Sequence, residues 1–287
     1  MSATEQVMTS YEDDEEYDED VSAVRQTKVL SLRVDGPARG VSFGFLAMLP
    51  LFVAYELAGP GEPGHPRAVA EAMLFSPFTR LGAPDVALAR RLILAVLFVA
   101  ALVSFHLQVR REHGAALGPR FARTLIEGAL GALVLGPVLF AAAEVASPYV
   151  GAMTLGGGGG GPTADRAGFV MGGAAYEEVI FRLGALSVLW LLSKQFLTWL
   201  GANPGAARLG AVTVASVGSA LLFAGFHLEA FTGWLGPGGE PFDAAVFTWR
   251  ATAGILLAAL FLWRGLGVAA WSHAFFNLAL LVGALPR

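Results

Sequence analysis

Glu177 and Glu178 lie in Gly173-Ala-Ala-Tyr-Glu-Glu-Val-Ile-Phe-Arg182, inside a stretch apolar enough for lipid. His227 closes Phe223-Ala-Gly-Phe-His227, and His273 and Asn277 bracket His273-Ala-Phe-Phe-Asn277, in two further apolar stretches. An ionisable group at the centre of a spanning helix costs about 2.5–3.5 kcal/mol and faces the bundle interior or a water-filled cavity. Four residues make one helical turn, so Glu178 can pair with Arg182, and His273 and Asn277 share a face. At about 3.6 residues per turn, Glu177 points about 100° away from Glu178 and is left for another partner. A carboxylate, two imidazoles and an amide donor are what activation of a water molecule needs. Taken singly, each has a structural reading: Glu178–Arg182 as an ion pair, the histidines as packing hydrogen bonds, Asn277 as interhelical glue. Glu56, His106, Glu127 and Glu144 read as isolated structural groups, although Glu127 and Glu144 could line a cavity.

The elements that would position these residues are helices in a bilayer. The chain has 287 residues, 55% of them hydrophobic and only 15% charged, with a mean hydropathy of +0.60. Soluble domains are nearer a quarter charged, so this much apolar surface needs a non-aqueous solvent. The absence of cysteine excludes disulfides, thiolate nucleophiles and sulfur-ligated metals. Nine of the 23 acids fall within residues 1–20, so the remaining 14 face 19 bases and the apolar body is net positive. Residues 1–36 are therefore expected to be a disordered acidic tail, and their polar start does not have the form of a secretory signal.

A spanning helix needs about 20 mainly apolar residues. Seven such stretches are predicted: Val41–Leu57, Leu92–Val109, Arg123–Val145, Asp165–Leu197, Leu209–Phe231, Ala244–Trp263 and Val268–Leu285. The fourth is long for a span and is expected to be tilted, broken or extended beyond the bilayer. Ala68–Phe78, interrupted by Pro77, is too short to span and reads as interfacial or re-entrant; counting it gives eight spans. Gly151–Pro162 is a glycine-rich linker and not a phosphate loop, since no Gly-Lys-Ser/Thr follows it. Loop charges favour a cytosolic N-terminus, with Arg25, Lys28, Arg33 and Arg39 ahead of the first span. Arg67, Arg80, Arg90 and Arg91 dissent from this orientation. The fold class is thus all-α, a polytopic transmembrane bundle in three parts: tail 1–36, N-terminal helices and linker 37–160, and a core at 161–287 that carries the three motifs.

Glu177-Glu178-x-x-x-Arg182, Phe223-x-x-x-His227 and His273-x-x-x-Asn277 resemble, in order, spacing and placement, the motifs of the CAAX prenyl protease and bacteriocin-processing family of intramembrane proteases. That family includes the type II CAAX prenyl endopeptidases. The resemblance covers about residues 165–285. Ile180-Phe181-Arg182 resembles the family's usual context, whereas Leu183 stands where many members carry glycine, with Gly184 one place later. The resemblance implies peptide-bond hydrolysis within the membrane. Glu177 would be the general base assisted by His227, His273 and Asn277 would form the oxyanion site, and Glu178 and Arg182 would position the helix. The substrate would be a membrane-presented peptide or protein, with no cofactor and no nucleic acid, and the location an integral, multi-pass cytoplasmic (inner) membrane. In the competing metal reading, Glu177, His227 and His273 would ligate zinc as a two-histidine, one-carboxylate site. A non-catalytic immunity or scaffold protein is the alternative outside enzymology. A transporter is disfavoured because no inverted internal repeat is found.

Overall fold

The computed structural model describes residues 40–60, 67–81, 85–112, 117–150, 163–233 and 239–283. The acidic tail, the glycine-rich linker and most of the Gly236–Gly239 turn lie outside them. The helices are α1 (Val41–Ala47), α2 (Leu49–Leu57), α3 (Val69–Arg80), α4 (Val86–Glu112), α5 (Leu117–Val150) and α6 (Ala164–Glu178). After α6 come a π-helical segment, Val179–Leu186, and then α7 (Ser187–Trp199), α8 (Pro204–Gly225), α9 (Glu229–Thr232), α10 (Ala244–Arg264) and α11 (Leu266–Leu281). The described residues contain no strand beyond a single parallel β-bridge between Leu228 and Glu240. The fold is an all-α polytopic bundle, as the composition requires.

Five helical stretches are long and apolar enough to cross a membrane: Val86–Leu107, Leu117–Tyr149, Ala164–Trp199, Pro204–Gly225 and Ala244–Arg264. Val41–Leu57, Val69–Phe78 and Leu266–Leu281 are apolar but shorter. Each of the seven predicted spans therefore has a helix, with the first and last below full spanning length. Leu92, Val96, Leu133, Val145, Leu191 and Trp263 are all exposed. Apolar side chains turned outward along whole helices mark a lipid-facing surface, and only a helix with every backbone group bonded internally tolerates that solvent. The chain is an integral, multi-pass membrane protein.

Several boundaries differ from the expected ones for local reasons. The first stretch is two helices that meet at Met48, because Pro50 falls in the first turn of α2 and fits a helix start better than a helix interior. Pro77 does not interrupt its segment; it sits near the C-terminal end of α3. The fourth helix is helical throughout its 36 residues, Ala164–Trp199, so it is long but not broken, and it contains a π-helical segment that its sequence does not announce. The fifth starts five residues early, because Asn203 caps Ala206 N–H at 2.9 Å and Pro204 takes the first helical position. It also stops at Gly225, so His227 lies in the turn after the span rather than within it.

Two contact regions frame the motif helices. α11 packs on α5, α6, α10 and α1, and α8 packs on α7 and α10. α6 presses against α2 through Gly168 and Gly172, one turn apart: a Cβ at Gly172 would lie 2.2 Å from Tyr55 Cβ, and one at Gly168 2.5 Å from the Ala54 carbonyl oxygen. Small residues at this spacing let two membrane helices touch backbone to backbone. The polar groups read as isolated are not all so. Glu56 binds Arg90 at 2.6 Å and Arg91 at 2.8 Å. Arg90, almost fully buried, also holds Glu71 at 2.9 Å. Glu127 is held by Arg123 at 2.8 Å and by Arg264. A buried charge inside apolar helices survives only with such partners, and the partners come from helices too far apart in sequence to pair by inspection.

Candidate active site

Each functional side chain is placed by a definable local feature. Thr163 caps α6 by accepting from Arg166 N–H at 3.3 Å, with Asp165 in the first turn where the helix dipole favours an anion. α6 then delivers Glu177 and Glu178 at its C-terminal end, against α11. Immediately beyond, the chain widens into the π-helical segment Val179–Leu186. Such segments re-aim side chains within a continuous helix and recur at functional sites. Ser187 Oγ donates to the Arg182 carbonyl at 3.3 Å, five residues back, and so serves a backbone acceptor in the widened turn.

Arg182 and Glu178 are both fully buried, with Arg182 Nε 3.2 Å from Glu178 Oε2. Arg182 Nη2 donates to the Gly254 carbonyl of α10 at 3.4 Å, and its guanidinium lies over the Phe223 ring at 4.8 Å from the centroid. Gly254 also lets α10 lie close against α8: a Cβ there would come within 2.8 Å of Ala220. The arginine thus ties α8 and α10 to the helix that carries the glutamates.

The second carboxylate oxygen of Glu178 has a use that the helical spacing did not reveal. His273, on α11, places Nδ1 2.9 Å from Glu178 Oε1 and Nε2 3.5 Å from Glu177 Oε2. Glu178 is therefore bound to Arg182 on one side and orients His273 on the other. His227 completes the group, with Nε2 3.9 Å from Glu177 Oε1. Its Nδ1 lies 2.8 Å from the Phe223 carbonyl, which can only accept, so Nδ1 carries the proton and Nε2 of the neutral ring is the free lone pair. The Phe223 ring lies 5.1 Å from that of His227 and 5.8 Å from that of His273, closing the site on its apolar side.

The turn that carries His227 is clamped from outside the bundle. Glu240 N–H donates to the His227 carbonyl and Glu229 N–H donates to the Glu240 carbonyl, both at 2.9 Å. Glu240 is itself fixed by Arg250 at 2.8 Å. Hydrogen bonding to Arg250 holds the Glu240 carboxyl below the usual carboxylate range, against the opposing effect of its partial burial. No sequence motif marks Glu240, because only the fold brings it to the backbone of His227 and Glu229 and to the Arg250 side chain.

Glu177, Glu178, Arg182, His227 and His273 thus meet in one place, and Glu177 and His227 keep partial exposure, with 20% and 25% of their side-chain surfaces open. Asn277 lies one turn beyond His273 on the same helix, half-buried and with no side-chain hydrogen bond to another described residue. Among the described residues, no three histidine, aspartate or glutamate side chains converge as a metal-ligand group. In the metal reading, zinc would be held by Glu177, His227 and His273, with a Glu177 oxygen 3.9 Å from His227 Nε2 and the other 3.5 Å from His273 Nε2.

Residues 160–279 match the family model described as type II CAAX prenyl endopeptidase, Rce1-like, and this part of the chain belongs to that CAAX-type protease family. No curated protein matches the chain. No solved structure does so either. The matched stretch begins just before α6 and ends within α11, so it contains every residue of the three motifs.

Proposed function

We propose that the chain is an intramembrane endopeptidase in which Glu177 and His227 activate the water that hydrolyses a membrane-presented peptide or protein. The observation that carries this reading is the pairing of two acceptors across a gap. Glu177 Oε1 and His227 Nε2 stand 3.9 Å apart, too far for a direct hydrogen bond and suited to a bridging water. A water molecule that donates one proton to each has its oxygen lone pair turned towards a carbonyl carbon. Glu177 then takes the proton as the oxygen attacks, and passes it to the leaving amine as the tetrahedral intermediate collapses. General-base assistance of this kind contributes about 10²–10⁴-fold.

His273 Nε2 and the Asn277 amide are the donors for the oxyanion in this reading. Glu178 holds the other ring nitrogen, Nδ1, at 2.9 Å and so aims Nε2 into the site. One preorganised donor in a water-poor site is worth about 2.7–4 kcal/mol in the transition state. Glu178 and Arg182 act through others: they fix the His273 ring and the helix end. The catalytic core is residues 161–287, in a cytoplasmic membrane with the N-terminus in the cytosol.

In this reading no metal takes part. Purified protein, stripped with a chelator and assayed with a membrane peptide in ¹⁸O-labelled water, tests it. The expected result is full-rate cleavage with one ¹⁸O in each new carboxyl terminus. Activity lost on stripping and restored by zinc would overturn the metal-free mechanism.

A further inference from the structure

Away from the motif residues, α5 and α10 leave a cavity of about 500 Å³ between them. Leu130, Val134 and Val138 line it from α5, and Leu256, Ala259 and Leu260 from α10. Val134 and Leu130 are 63% and 56% exposed, so the groove opens on the lipid-facing side of the bundle. The lining from Glu127 to Val138 covers 12 residues, so its ends are about 16 Å apart at about 1.5 Å rise per residue. That is close to half of the roughly 30 Å hydrocarbon core, the depth reached by the acyl chain of one leaflet.

One end of the groove is polar. Arg264 Nε donates to Glu127 Oε2 at 2.9 Å and Arg123 Nε to Glu127 Oε1 at 2.8 Å. Two guanidiniums against one carboxylate leave one positive charge over, on an Arg123 side chain that is 71% exposed. Trp263, 75% exposed, lies beside the Arg264 guanidinium, 5.6 Å from ring centroid to Cζ. Arginine and tryptophan at the ends of spanning helices mark the headgroup level, and basic pockets between such helices hold anionic headgroups.

We propose that this groove binds one anionic phospholipid, with an acyl chain along α5 and α10 and its phosphate on Arg123 and Arg264. The full chain, purified in mild detergent, would be titrated with phosphatidylglycerol, phosphatidylcholine and glycerol phosphate, and binding read by native mass spectrometry and thermal shift. Phosphatidylglycerol is expected to bind saturably and to raise the melting temperature, phosphatidylcholine to bind more weakly, and glycerol phosphate, which lacks a chain, not to bind. Arg123→Gln should weaken phosphatidylglycerol roughly fivefold, from about 1 kcal/mol per basic group near the surface, whereas Glu127→Gln should strengthen it. Val134→Trp, at a lipid-facing position, should block both lipids without disturbing the core. Equal binding of the two lipids, displacement by glycerol phosphate alone, or indifference to Val134→Trp would each overturn the proposal. The readout is binding rather than cleavage, so it stands apart from the catalytic reading.

Discussion

Glu178 Oε1 and His273 Nδ1 lie 2.9 Å apart across the contact of α6 with α11. Arg182 holds the other oxygen of the same carboxylate at 3.2 Å. Glu178 is thus a bridge between an arginine and an imidazole, and both of the glutamates in the pair address His273, one at each ring nitrogen. This gives Glu178 a task in orienting the site that a simple ion pair with Arg182 would not.

If that bridge fixes the His273 ring, Glu178→Gln should keep one acceptor and still fold, though less stably because Arg182 loses its counter-charge, and should lower kcat by about 10-fold or more while leaving KM near its wild-type value. Glu178→Ala should lose more activity and also melt earlier. Steady-state cleavage of a membrane peptide alongside thermal unfolding separates the two. A Glu178→Gln enzyme with unchanged kcat would show that His273 is oriented by something else.

Arg182 and Glu178 are fully buried, so removing either alone leaves an uncompensated charge in the bundle. Arg182→Met is expected to cost about 3–5 kcal/mol of stability. Arg182→Met combined with Glu178→Gln should regain much of that loss, because no buried charge is then unpaired, yet should not regain activity. Unfolding of the single and double variants in detergent checks the sign of this coupling. A double variant less stable than either single one would contradict it.

At Gly172 the expected effect is steric. A Cβ there would sit 2.2 Å from Tyr55 Cβ, with both helices already in backbone contact. Gly172→Leu should therefore destabilise the protein by about 1–3 kcal/mol through overpacking and lower activity by moving Glu177 and Glu178 on the same helix. Gly201→Ala, at a loop glycine remote from this contact, is the comparison. It carries only the modest strain of its left-handed backbone, φ +83°, and meets no atom within 4 Å.

Glu240 supplies a pH-dependent prediction. Its carboxyl is held low in the folded state by Arg250. A depressed folded-state value means that the Glu240–Arg250 contribution is complete above the unfolded value, about 4.3. It fades as the pH falls through the lower folded value. Wild-type protein should therefore be more stable than Glu240→Gln at pH 7, and the difference should close below about pH 4. A gap that persists unchanged at pH 3 would mean that the ion pair contributes nothing.

The parts of this site that lie within single helices could be read from spacing. Glu178 with Arg182, and His273 with Asn277, need only the rule of four residues per turn. The apolar stretches likewise announced the helices, since bilayer thickness sets their length. Contacts between helices distant in sequence could not be read in this way. The Glu178–His273 bond, the Glu56–Arg90–Glu71 cluster and the Glu127–Arg264 pair each join residues that only packing brings together. The end of α8 at Gly225 was hidden because the apolar run continues to Phe231, and hydropathy does not record where the backbone turns. The π-helical segment is equally silent in sequence. By contrast, Gly168-x-x-x-Gly172 is a packing signature in plain view, and it could have placed α6 against a neighbour in advance.

The proposed function rests on water activation by Glu177 for peptide cleavage at the membrane. Quantitative mass spectrometry of membrane-bound and released peptides, in cells producing wild-type protein or Glu177→Gln at equal levels, tests it most directly. Peptides released by the wild type are expected to fall by about 10²-fold or more with Glu177→Gln, while their uncut precursors accumulate in the membrane. Identical peptide profiles from the two proteins, with Glu177→Gln folded and inserted, would contradict it.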